Sequence, residues 1–310
     1  MKHTVRIGTR GSTLALWQAG WVKKQLETHW PELQVELVPI KTSGDKIQHI
    51  SLSRIGGKGL FVKEIEEALL SNSVDLAVHS VKDLPAELPD GLTLSAIPER
   101  EDPRDVLIAA NGVALSELPD GTRVGTSSLR RQALLLYLHP GLKIEMLRGN
   151  VETRIRKQME GSVDATILAA AGLKRLSLNL KNSCPLDENE FLPAIGQGAL
   201  GIETRVGDEV EALLQPLHHP DTATAISAER AFLQRMGGSC RTPLAAKATV
   251  RDGSIQLTAM VASPDGKQML REEQTGPTET AQQIGAAIAD TLLAQGGKEI
   301  LEALAEEENT

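Results

Sequence analysis

The sequence predicts two α/β domains followed by a smaller α+β domain. Through the first two thirds of the chain, short apolar runs alternate with amphipathic segments, which is the pattern of α/β folds. Polar, proline-bounded breaks interrupt this alternation twice, and three strand-like segments joined by tight turns follow near the end. A chain of 310 residues has ample length for this arrangement.

The first α/β series occupies roughly the first hundred residues. A strand is predicted at the N-terminus and a helix after it, because Ser12 can cap the helix and apolar residues recur behind it at three- and four-residue steps. The predicted strands of this series are residues 4–9, 35–41, 75–79 and 92–97, and the predicted helices are residues 12–27 and 61–70. A polar linker, residues 98–104, closes the series.

The second series repeats the alternation. Its predicted strands are residues 106–110, 123–125, 143–147 and 165–169, and its predicted helices are residues 128–138 and 151–160. A second break, residues 185–193, is followed by a glycine-rich stretch, residues 196–203, that leads into a further strand. This order indicates that the chain leaves the second domain after the break.

The C-terminal part reads as a helix, a tight loop and an antiparallel meander. The helix covers residues 222–235, the loop contains Cys240, and the strands cover residues 245–250, 255–262 and 269–275. A last helix is predicted over residues 278–293, and the acidic end around Glu306 is expected to fray. Small residues before Cys240 and an arginine after it are typical of a reactive thiol.

Composition excludes several classes of protein. A net charge of −8 and an aromatic content of 2% argue against general nucleic-acid binding. We find no apolar run long enough to cross a membrane and no apolar core of a signal peptide, so we expect a cytoplasmic protein. Two cysteines make no disulfide framework, and the histidines show no metal-ligand spacing, so no metal is expected.

Positive charge is concentrated in the middle of this acidic chain. Between residues 123 and 175 there are seven arginines and three lysines, against four acids. Such a concentration indicates a local anion site, although a solvated helix face explains the count equally well.

Three predicted strand-to-helix junctions place hydroxyl groups or a glycine beside arginine: residues 9–12, 125–131 and 147–154. Free backbone N–H groups at a helix start favour anions, and arginine adds a planar fork that fits carboxylates. Taken alone, each junction is better explained by ordinary helix capping. Three together favour a ligand with several negative groups.

Two further segments carry candidate groups. Asp83 follows a predicted buried strand and has Lys82 beside it, a position that suits either a turn former or a catalytic carboxylate. Residues 51–61 lack the Walker pattern, so they predict a mobile lid bearing Lys58 and Phe61, or else an ordinary loop.

Together these motifs resemble the hydroxymethylbilane synthase family, also called porphobilinogen deaminases. The resemblance runs over nearly the whole chain in family order and is strongest around Cys240. The stretches that carry it are residues 10–19, 56–63, 79–85, 99–105, 125–132, 147–154, 196–203 and 229–245.

The resemblance implies a fold of two periplasmic-binding-protein-like (type II) α/β domains plus a small C-terminal α+β domain. Residues 1–98 and 199–217 would form domain 1, residues 104–193 the arginine-rich domain 2, and residues 222–310 domain 3, which carries the cofactor cysteine. It also implies a monomer that binds neither nucleic acid nor membrane.

The resemblance further implies a transferase of tetrapyrrole and haem biosynthesis. Four porphobilinogen molecules would be joined head to tail, with loss of ammonia, onto a dipyrromethane cofactor held by a thioether to Cys240, and water would release linear hydroxymethylbilane. Asp83 would be the catalytic carboxylate, and Lys58 and Phe61 would belong to the lid. The implied ligands of cofactor and substrate carboxylates are Arg10, Ser12, Lys82, Thr126, Ser127, Ser128, Arg130, Arg131, Arg148, Gly149, Asn150, Arg154 and Arg175.

The main alternative is a non-enzymatic, two-lobed carboxylate-binding protein. It would share the fold and the arginines, but it has no use for Cys240 or for a third domain. A covalent adduct on Cys240 separates the two hypotheses.

Overall fold

The computed structural model describes residues 3–43, 62–238 and 242–308. Within them the chain forms two five-stranded mixed sheets and one three-stranded antiparallel sheet. Helices cover both faces of the first two sheets and one face of the third. The predicted class, two α/β units and a small α+β unit, is therefore confirmed.

Five strands form the first sheet: β1 (Thr4–Arg10), β2 (Gln34–Ile40), β3 (Leu76–Ser80), β4 (Leu92–Ala96) and β10 (Leu200–Arg205). Their order across the sheet is β2–β1–β3–β10–β4. β1 is parallel to β2 and β3, whereas β10 is antiparallel to β3 and β4. The chain thus returns to this sheet from a distant part of the sequence.

Alternation along the strands supplies apolar side chains to both faces of this sheet. On β3, Val78 faces a core that includes Val22 and Leu26 of α1 (Thr13–His29) and residues of the short helix α6 (Val210–Leu214). The neighbouring residue, Ala77, faces the opposite core, formed with α2 (Lys63–Leu70).

The second sheet consists of β5 (Asp105–Ala109), β6 (Arg123–Gly125), β7 (Lys143–Glu145), β8 (Ala165–Ala169) and β9 (Ser183–Pro185). Their order is β7–β6–β8–β5–β9, with β6 parallel to β7 and β8, and β5 antiparallel to β8 and β9. It therefore repeats the pattern of the first sheet, in which three parallel strands are followed by one antiparallel strand and by an outer strand that pairs antiparallel with it.

Three helices cover the second sheet: α3 (Leu129–Leu138) on one face, α4 (Val151–Met159) and α5 (Ala170–Arg175) on the other. Two segments connect the two sheets and lie side by side: residues 97–104, which contain no helix or strand, and residues 194–199, which form turns. The Glu101 backbone N–H donates to the Gly198 carbonyl at 3.3 Å.

The C-terminal unit is an antiparallel sheet of β11 (Leu244–Arg251), β12 (Ser254–Ala262) and β13 (Met269–Pro277). Its core forms where α7 (Pro220–Arg235) and α8 (Ala281–Leu292) pack against one face. Three residues of this sheet, Ala245, Met260 and Ala262, also join the core under α3, so the unit is docked on the second sheet by apolar burial.

Some local predictions differ from the structure. The short elements β9, α5 and α6 are not among the predicted ones, because β9 (Ser-Cys-Pro) contains no aliphatic run and helices of six and five residues are too short to show a helical period. A further helix, α9 (Lys298–Glu308), extends into the acidic end and buries Ile300 and Leu304, while the fraying expected around Glu306 stays a prediction. No helix in the described ranges is long and apolar enough to cross a membrane.

Position 198 requires a glycine, because the backbones of the two connecting segments come into close contact there. Its φ is +89°, and a Cβ built on it would lie 2.2 Å from the Glu101 carbonyl oxygen. We expect Gly198→Ala to lower the free energy of unfolding by about 3 kcal/mol, because both the backbone conformation and a backbone contact are violated. Urea denaturation measures this loss.

Gly207 provides the matched control for this prediction. Its φ is +73°, but nothing lies within 4 Å of a Cβ built there. Gly207→Ala should therefore cost only the conformational penalty, about 1 kcal/mol. Equal losses in the two variants would contradict the argument from close approach.

Candidate active site

A cleft of about 1210 Å³ lies between the first two sheets and reaches the C-terminal unit at Thr242 and Leu244. Its walls come from segments that follow the carboxyl ends of β1, β3, β6, β7 and β8, the usual ligand position in open α/β sheets. The fold thus brings together residues that are far apart in the sequence.

Most of the predicted site residues line this cleft: Arg10, Ser12, Lys82, Asp83, Ser127, Ser128, Arg130, Arg131, Arg148, Gly149, Asn150, Arg154 and Arg175. Thr126 is not among the lining residues. It is buried, and its Oγ1 accepts a hydrogen bond from the Ser128 N–H at 3.2 Å, so it shapes the turn before α3. Lys58, Phe61 and Cys240 lie outside the described residues.

The cleft is strongly cationic. Its acids among the described residues are Asp83 and Glu152, whereas four further cations join the predicted ones: Lys41, Arg156, Lys157 and Arg230. A cluster of like charges around a cleft is unfavourable unless a ligand of opposite charge occupies it. The cleft therefore fits a ligand with several negative groups, in spite of the net charge of −8.

At all three strand-to-helix junctions, side chains cap helices. Ser12 accepts from the Ala15 N–H at the start of α1, Ser128 from the Arg131 N–H at the start of α3, and Asn150 from the Thr153 N–H at the start of α4. The capping interpretation is thus correct for these side chains. All three helix starts nevertheless face one cleft, so their positive dipole ends converge on it.

Arg154 and Arg175 are cations without a carboxylate at salt-bridge distance anywhere in the described ranges. Arg154 Nε donates to the Gly149 carbonyl at 2.8 Å, and the buried Arg175 donates through Nη2 to the Gly198 carbonyl at 2.8 Å. Burial lowers the pKa of each guanidinium to about 10. Unmatched charge of this kind is costly in the free protein and is relieved by an anionic ligand.

Arg130 and Arg131 are instead paired with a carboxylate that sequence reasoning did not single out. Arg130 Nη2 and Arg131 Nη2 each lie 2.7 Å from an oxygen of the buried Asp105. Burial alone would raise the pKa of Asp105, but the two arginines hold it down to about 2. Asp105 therefore stays ionised and fixes both guanidinium groups at the cleft wall.

Removal of Asp105 should destabilise the protein strongly. Asp105→Ala leaves two buried guanidinium groups without their carboxylate, so we expect the free energy of unfolding to fall by about 3–5 kcal/mol in urea denaturation. In the wild type, the depressed pKa means that this stabilisation is complete above about pH 4 and is lost as the pH falls towards 2.

Asp164→Ala is the matched control for Asp105→Ala. It breaks the pair with Arg123, in which the two side chains are 46% and 39% exposed. An exposed pair contributes little, so the loss should stay below about 1 kcal/mol. A comparable loss in both variants would contradict the role given to burial.

Lys82 and Asp83 lie on a 3-10 turn, Val81–Asp83, at the end of β3. Val81 anchors the turn: its N–H donates to the Ala199 carbonyl at 3.1 Å, and its side chain is buried against Ile226 of α7. Asp83 is exposed to the cleft, and no hydrogen bond to its carboxylate is found within the described part of the chain. It is therefore free to accept hydrogen bonds from a ligand.

Lys82 is in a poor environment for its charge. Burial and the nearby Arg131 lower its pKa to about 8, although Asp83 and Asp105 act in the opposite direction. Its Nζ donates to Gln197 Oε1 at 3.2 Å. A bound carboxylate would favour the charged form and raise this pKa.

Sequence reasoning missed Asp105, Gln197 and Arg230 as site residues. Arg230 of α7 lines the cleft and donates to the Ala86 carbonyl at 2.9 Å; its only signal in the sequence was its place at the start of the motif around Cys240.

Within the described ranges, no group of three or more histidine, cysteine or acidic side chains is suited to a metal ion. Among the described residues, the cleft thus combines many cations with the exposed carboxylate of Asp83 and the partly buried one of Glu152.

Comparisons with known proteins agree with this chemistry. A family model described as "Porphobilinogen deaminase, dipyromethane cofactor binding domain" matches residues 5–212, and one described as "Porphobilinogen deaminase, C-terminal domain" matches residues 223–294. Porphobilinogen deaminase from Syntrophotalea carbinolica is 55% identical over 301 residues, covering 97% of this chain and 96% of the relative. That from Geobacter sulfurreducens is 54% identical over 302 residues, covering 96% and 94%.

Solved structures give a weaker likeness. The periplasmic aliphatic sulphonate binding protein SsuA from Escherichia coli has a TM-score of 0.40 at 18% identity, covering 76% of this chain and 70% of that one. The probable amino-acid extracellular-binding protein ytmK from Bacillus subtilis has a TM-score of 0.44 at 12% identity, covering 70% and 92%. The family assignment rests on the sequence matches, which span both α/β units and the C-terminal unit. The chain belongs to the porphobilinogen deaminase family.

Proposed function

We propose that the cationic cleft is the site at which this chain condenses porphobilinogen, with Asp83 as the catalytic carboxylate. The observation that carries the proposal is the convergence of cations on a cleft that holds the exposed Asp83; among them, Arg154 and Arg175 have no carboxylate at salt-bridge distance within the described ranges. Each porphobilinogen unit brings an acetate and a propionate, so a growing chain of pyrroles is the kind of polyanion that such a cleft fits.

The chain is a transferase of tetrapyrrole biosynthesis. It joins four porphobilinogen molecules head to tail and releases linear hydroxymethylbilane by hydrolysis. In each addition a C–C bond forms between the aminomethyl carbon of the new unit and the free α-carbon of the terminal ring. The C–N bond breaks, ammonia leaves, and the ring carbon that was attacked loses its proton.

The described residues fit the family's dipyrromethane cofactor, which is itself a polycarboxylate. Arg175 and Arg154 each present a guanidinium without a carboxylate partner in the described ranges, and Thr242 and Leu244, which follow Cys240 in the sequence, line the cleft. We propose that Cys240 holds this cofactor by a thioether. When bound, it supplies the terminal pyrrole to which the first substrate unit is joined.

We propose that the cations of the cleft form two groups, those that bind ligand carboxylates directly and those that Asp105 also holds. Arg10, Arg148, Arg154, Arg175 and Lys82 bind carboxylates of cofactor and substrate, with hydrogen bonds added by the junctions that contain Ser12, Ser127, Ser128, Gly149 and Asn150. Arg130 and Arg131 contribute the guanidinium N–H groups that Asp105 leaves available. Thr126 shapes the turn rather than binding the ligand, and Lys58 and Phe61 are assigned to the lid.

Asp83 acts where positive charge develops. As the terminal pyrrole attacks, its ring nitrogen becomes electron-poor, and a fixed carboxylate that accepts the N–H stabilises that charge. The same carboxylate can relay the proton that the ring carbon loses. Its exposure to the cleft and its lack of a described hydrogen-bond donor support both roles.

The affinity of the cleft for carboxylates should fall above about pH 8. Free Lys82 has a lowered pKa of about 8, whereas a bound carboxylate raises that pKa, so binding takes up a proton in this range. We expect kcat/KM for porphobilinogen to decline as the pH rises from 8 to 10. Lys82→Arg keeps its charge throughout and should remove this decline; an unchanged profile in that variant would contradict the assignment.

We propose domain limits that follow the three sheets: residues 1–98 and 199–217 for domain 1, 104–193 for domain 2 and 222–310 for domain 3. The return of β10 to the first sheet supports the split of domain 1. Expression of residues 104–193 alone should give a folded unit with cooperative thermal unfolding, whereas residues 1–98 alone should not, since β10 lies between β3 and β4.

We also propose a cytoplasmic monomer that does not bind nucleic acid. The net charge of −8 supports the last point, because neutralising phosphates requires a basic surface. Light scattering coupled to size-exclusion chromatography should give the mass of one chain of 33.3 kDa.

Incubation of the purified protein with porphobilinogen tests the function. We expect four ammonia molecules released for each hydroxymethylbilane formed, with multiple turnovers. The alternative, a non-enzymatic carboxylate-binding protein, predicts saturable binding of porphobilinogen without ammonia release. That outcome would overturn the proposal.

A further inference from the structure

Gln197 occupies the second segment that connects the two α/β units and is only 1% exposed. Its Oε1 accepts from Lys82 Nζ at 3.2 Å, and its Nε2 donates to the Pro103 carbonyl at 2.6 Å and to Asp105 Oδ1 at 3.2 Å. One planar amide thus uses its acceptor towards one unit and both of its donors towards the linker and the other unit.

The backbone around Gln197 is fixed from both sides. Gly196 has a φ of +71°, and a Cβ on it would lie 2.5 Å from the Val81 side chain; Gly198 has a φ of +89°. The Gly196 N–H donates to Glu229 Oε2 at 2.7 Å, and the Gln197 carbonyl accepts from Arg100 Nε at 2.8 Å. The side chain therefore projects from a backbone that has little freedom to shift.

Gln197 joins groups that lie on opposite sides of the cleft. Lys82 follows β3 of the first sheet, whereas Asp105 begins β5 of the second sheet and holds Arg130 and Arg131 of α3. We propose that Gln197 is a positioning residue whose amide holds the Lys82 ammonium of one unit against the Asp105–Arg130–Arg131 cluster of the other. The spacing of carboxylate-binding cations across the cleft is set by this amide.

The inference rests on the proposed function only in calling Lys82, Arg130 and Arg131 carboxylate ligands. The coupling between Gln197 and Lys82 is a property of the protein without substrate. It can therefore be measured whether or not the catalytic assignment holds.

The chemistry of the site requires a neutral amide. The charged groups that face Lys82 are Asp83 on its own turn, Asp105 of β5, and Arg130 and Arg131 of α3. A carboxylate at position 197 would lie between Lys82 and Asp105. It would stabilise the Lys82 ammonium and repel the Asp105 carboxylate. An aliphatic side chain would take away the acceptor from the ammonium and one donor from Asp105.

Two variants of nearly equal size should therefore shift the titration of Lys82 in opposite directions. Gln197→Leu removes the acceptor of the ammonium, so the pKa of Lys82 should fall by about one unit relative to the wild-type protein. Gln197→Glu places a negative charge beside it, and the pKa should rise by about 1–3 units. Damage to the fold alone would not produce shifts of opposite sign.

Competitive labelling measures this titration directly in the holoenzyme. A trace of acetic anhydride is applied between pH 6 and 11, and acetylation of the Lys82 peptide is quantified by mass spectrometry against an exposed lysine, Lys267. The controls are Gln158→Leu and Gln158→Glu, at a buried glutamine of α4 that donates to the Asp164 carbonyl and has no contact with Lys82. Shifts in the same direction in both Gln197 variants, or no shift in either, would overturn the proposal.

Steady-state kinetics provide a second, independent measurement. If Gln197 acts through Lys82, then Gln197→Leu should raise KM several-fold when Lys82 is present and should change kcat less than KM. In a protein that already carries Lys82→Gln, the same substitution should raise KM little further. Losses that simply add in the double variant would assign Gln197 to direct substrate contact or to folding, and would overturn the positioning role. If no variant turns over porphobilinogen, the labelling result still decides the coupling while the proposed function fails.

Discussion

Asp83→Ala is expected to retain the covalent cofactor and to lower turnover of porphobilinogen by about 10²–10⁴-fold, the usual contribution of a positioned acid–base group. The carboxylate lies on a turn anchored through the buried Val81, and it faces a cleft whose described lining contains many cations and one other acid, Glu152. Without the Asp83 carboxylate, no negative group on this turn stabilises the positive charge that develops on the attacking pyrrole. The cations that hold substrate carboxylates are unchanged, so KM should move far less than kcat.

Glu152→Ala is the matched control, because Glu152 is the other acid that lines the described cleft. It lies in the first turn of α4, where a carboxylate stabilises the helix start, so its removal should cost less than about 1 kcal/mol of stability and little turnover. Single-turnover rates and intact mass are measured for both variants. Near-normal turnover in Asp83→Ala, or equal losses in the two variants, would sink the assignment of Asp83.

The fold was largely predictable because long elements show their period in the sequence. The buried positions of α1, including Ala19, Val22 and Leu26, recur at steps of three and four, and the cap at Ser12 marks its start. The strand β9, with the sequence Ser-Cys-Pro, contains no aliphatic run and was not predicted. The pairing of β10 between β3 and β4 also joins segments more than a hundred residues apart, which no local pattern encodes.

The cations of the site were predictable, but their pairing was not. The arginines at the three strand-to-helix junctions can be identified in the sequence. Because parallel strands end at a common edge of the sheet, these residues are expected to lie close together. Nothing local distinguishes Arg154, which has no described carboxylate partner, from Arg131, which is held by Asp105. The sequence presents Asp105 as one more acid near a proline-bounded linker, and its role emerges only when β5 is placed beside α3.

Gln197 shows that the contacts of a neutral site residue are equally hard to predict from the sequence. It is 92 residues from Asp105 and 115 residues from Lys82 in the sequence, and a glutamine in a glycine-rich stretch reads as part of a loop. Only the crossing of the two connecting segments brings its amide between two charged groups. Neutral residues at such crossings are therefore invisible to a search for charged or nucleophilic motifs.

Cys240→Ser is expected to abolish turnover completely, because it removes the proposed attachment point of the cofactor. A serine hydroxyl lacks the nucleophilicity of a thiolate and should not form the corresponding bond. Protein produced in a host that makes porphobilinogen should carry an adduct of two porphobilinogen units less two ammonia molecules, and the variant should show the unmodified mass. Intact-mass spectrometry of both proteins decides the point.

Cys184→Ser supplies the control, since the chain has only two cysteines. Cys184 lies on β9, where it pairs with Leu107 and its thiol contacts the Pro185 carbonyl, away from the residues that line the cleft. Its removal should leave both the adduct and turnover intact.

The opposite result, an adduct lost in Cys184→Ser and kept in Cys240→Ser, would place the attachment site on the second sheet. The position of Thr242 and Leu244 at the cleft would then be unrelated to cofactor attachment. An adduct retained in both variants would also contradict Cys240 as the sole attachment point, since each variant keeps one of the two cysteines. Loss in Cys240→Ser alone ties the tethered primer to Cys240, and the residues that follow it in the sequence, Thr242 and Leu244, line the cleft that also holds Asp83.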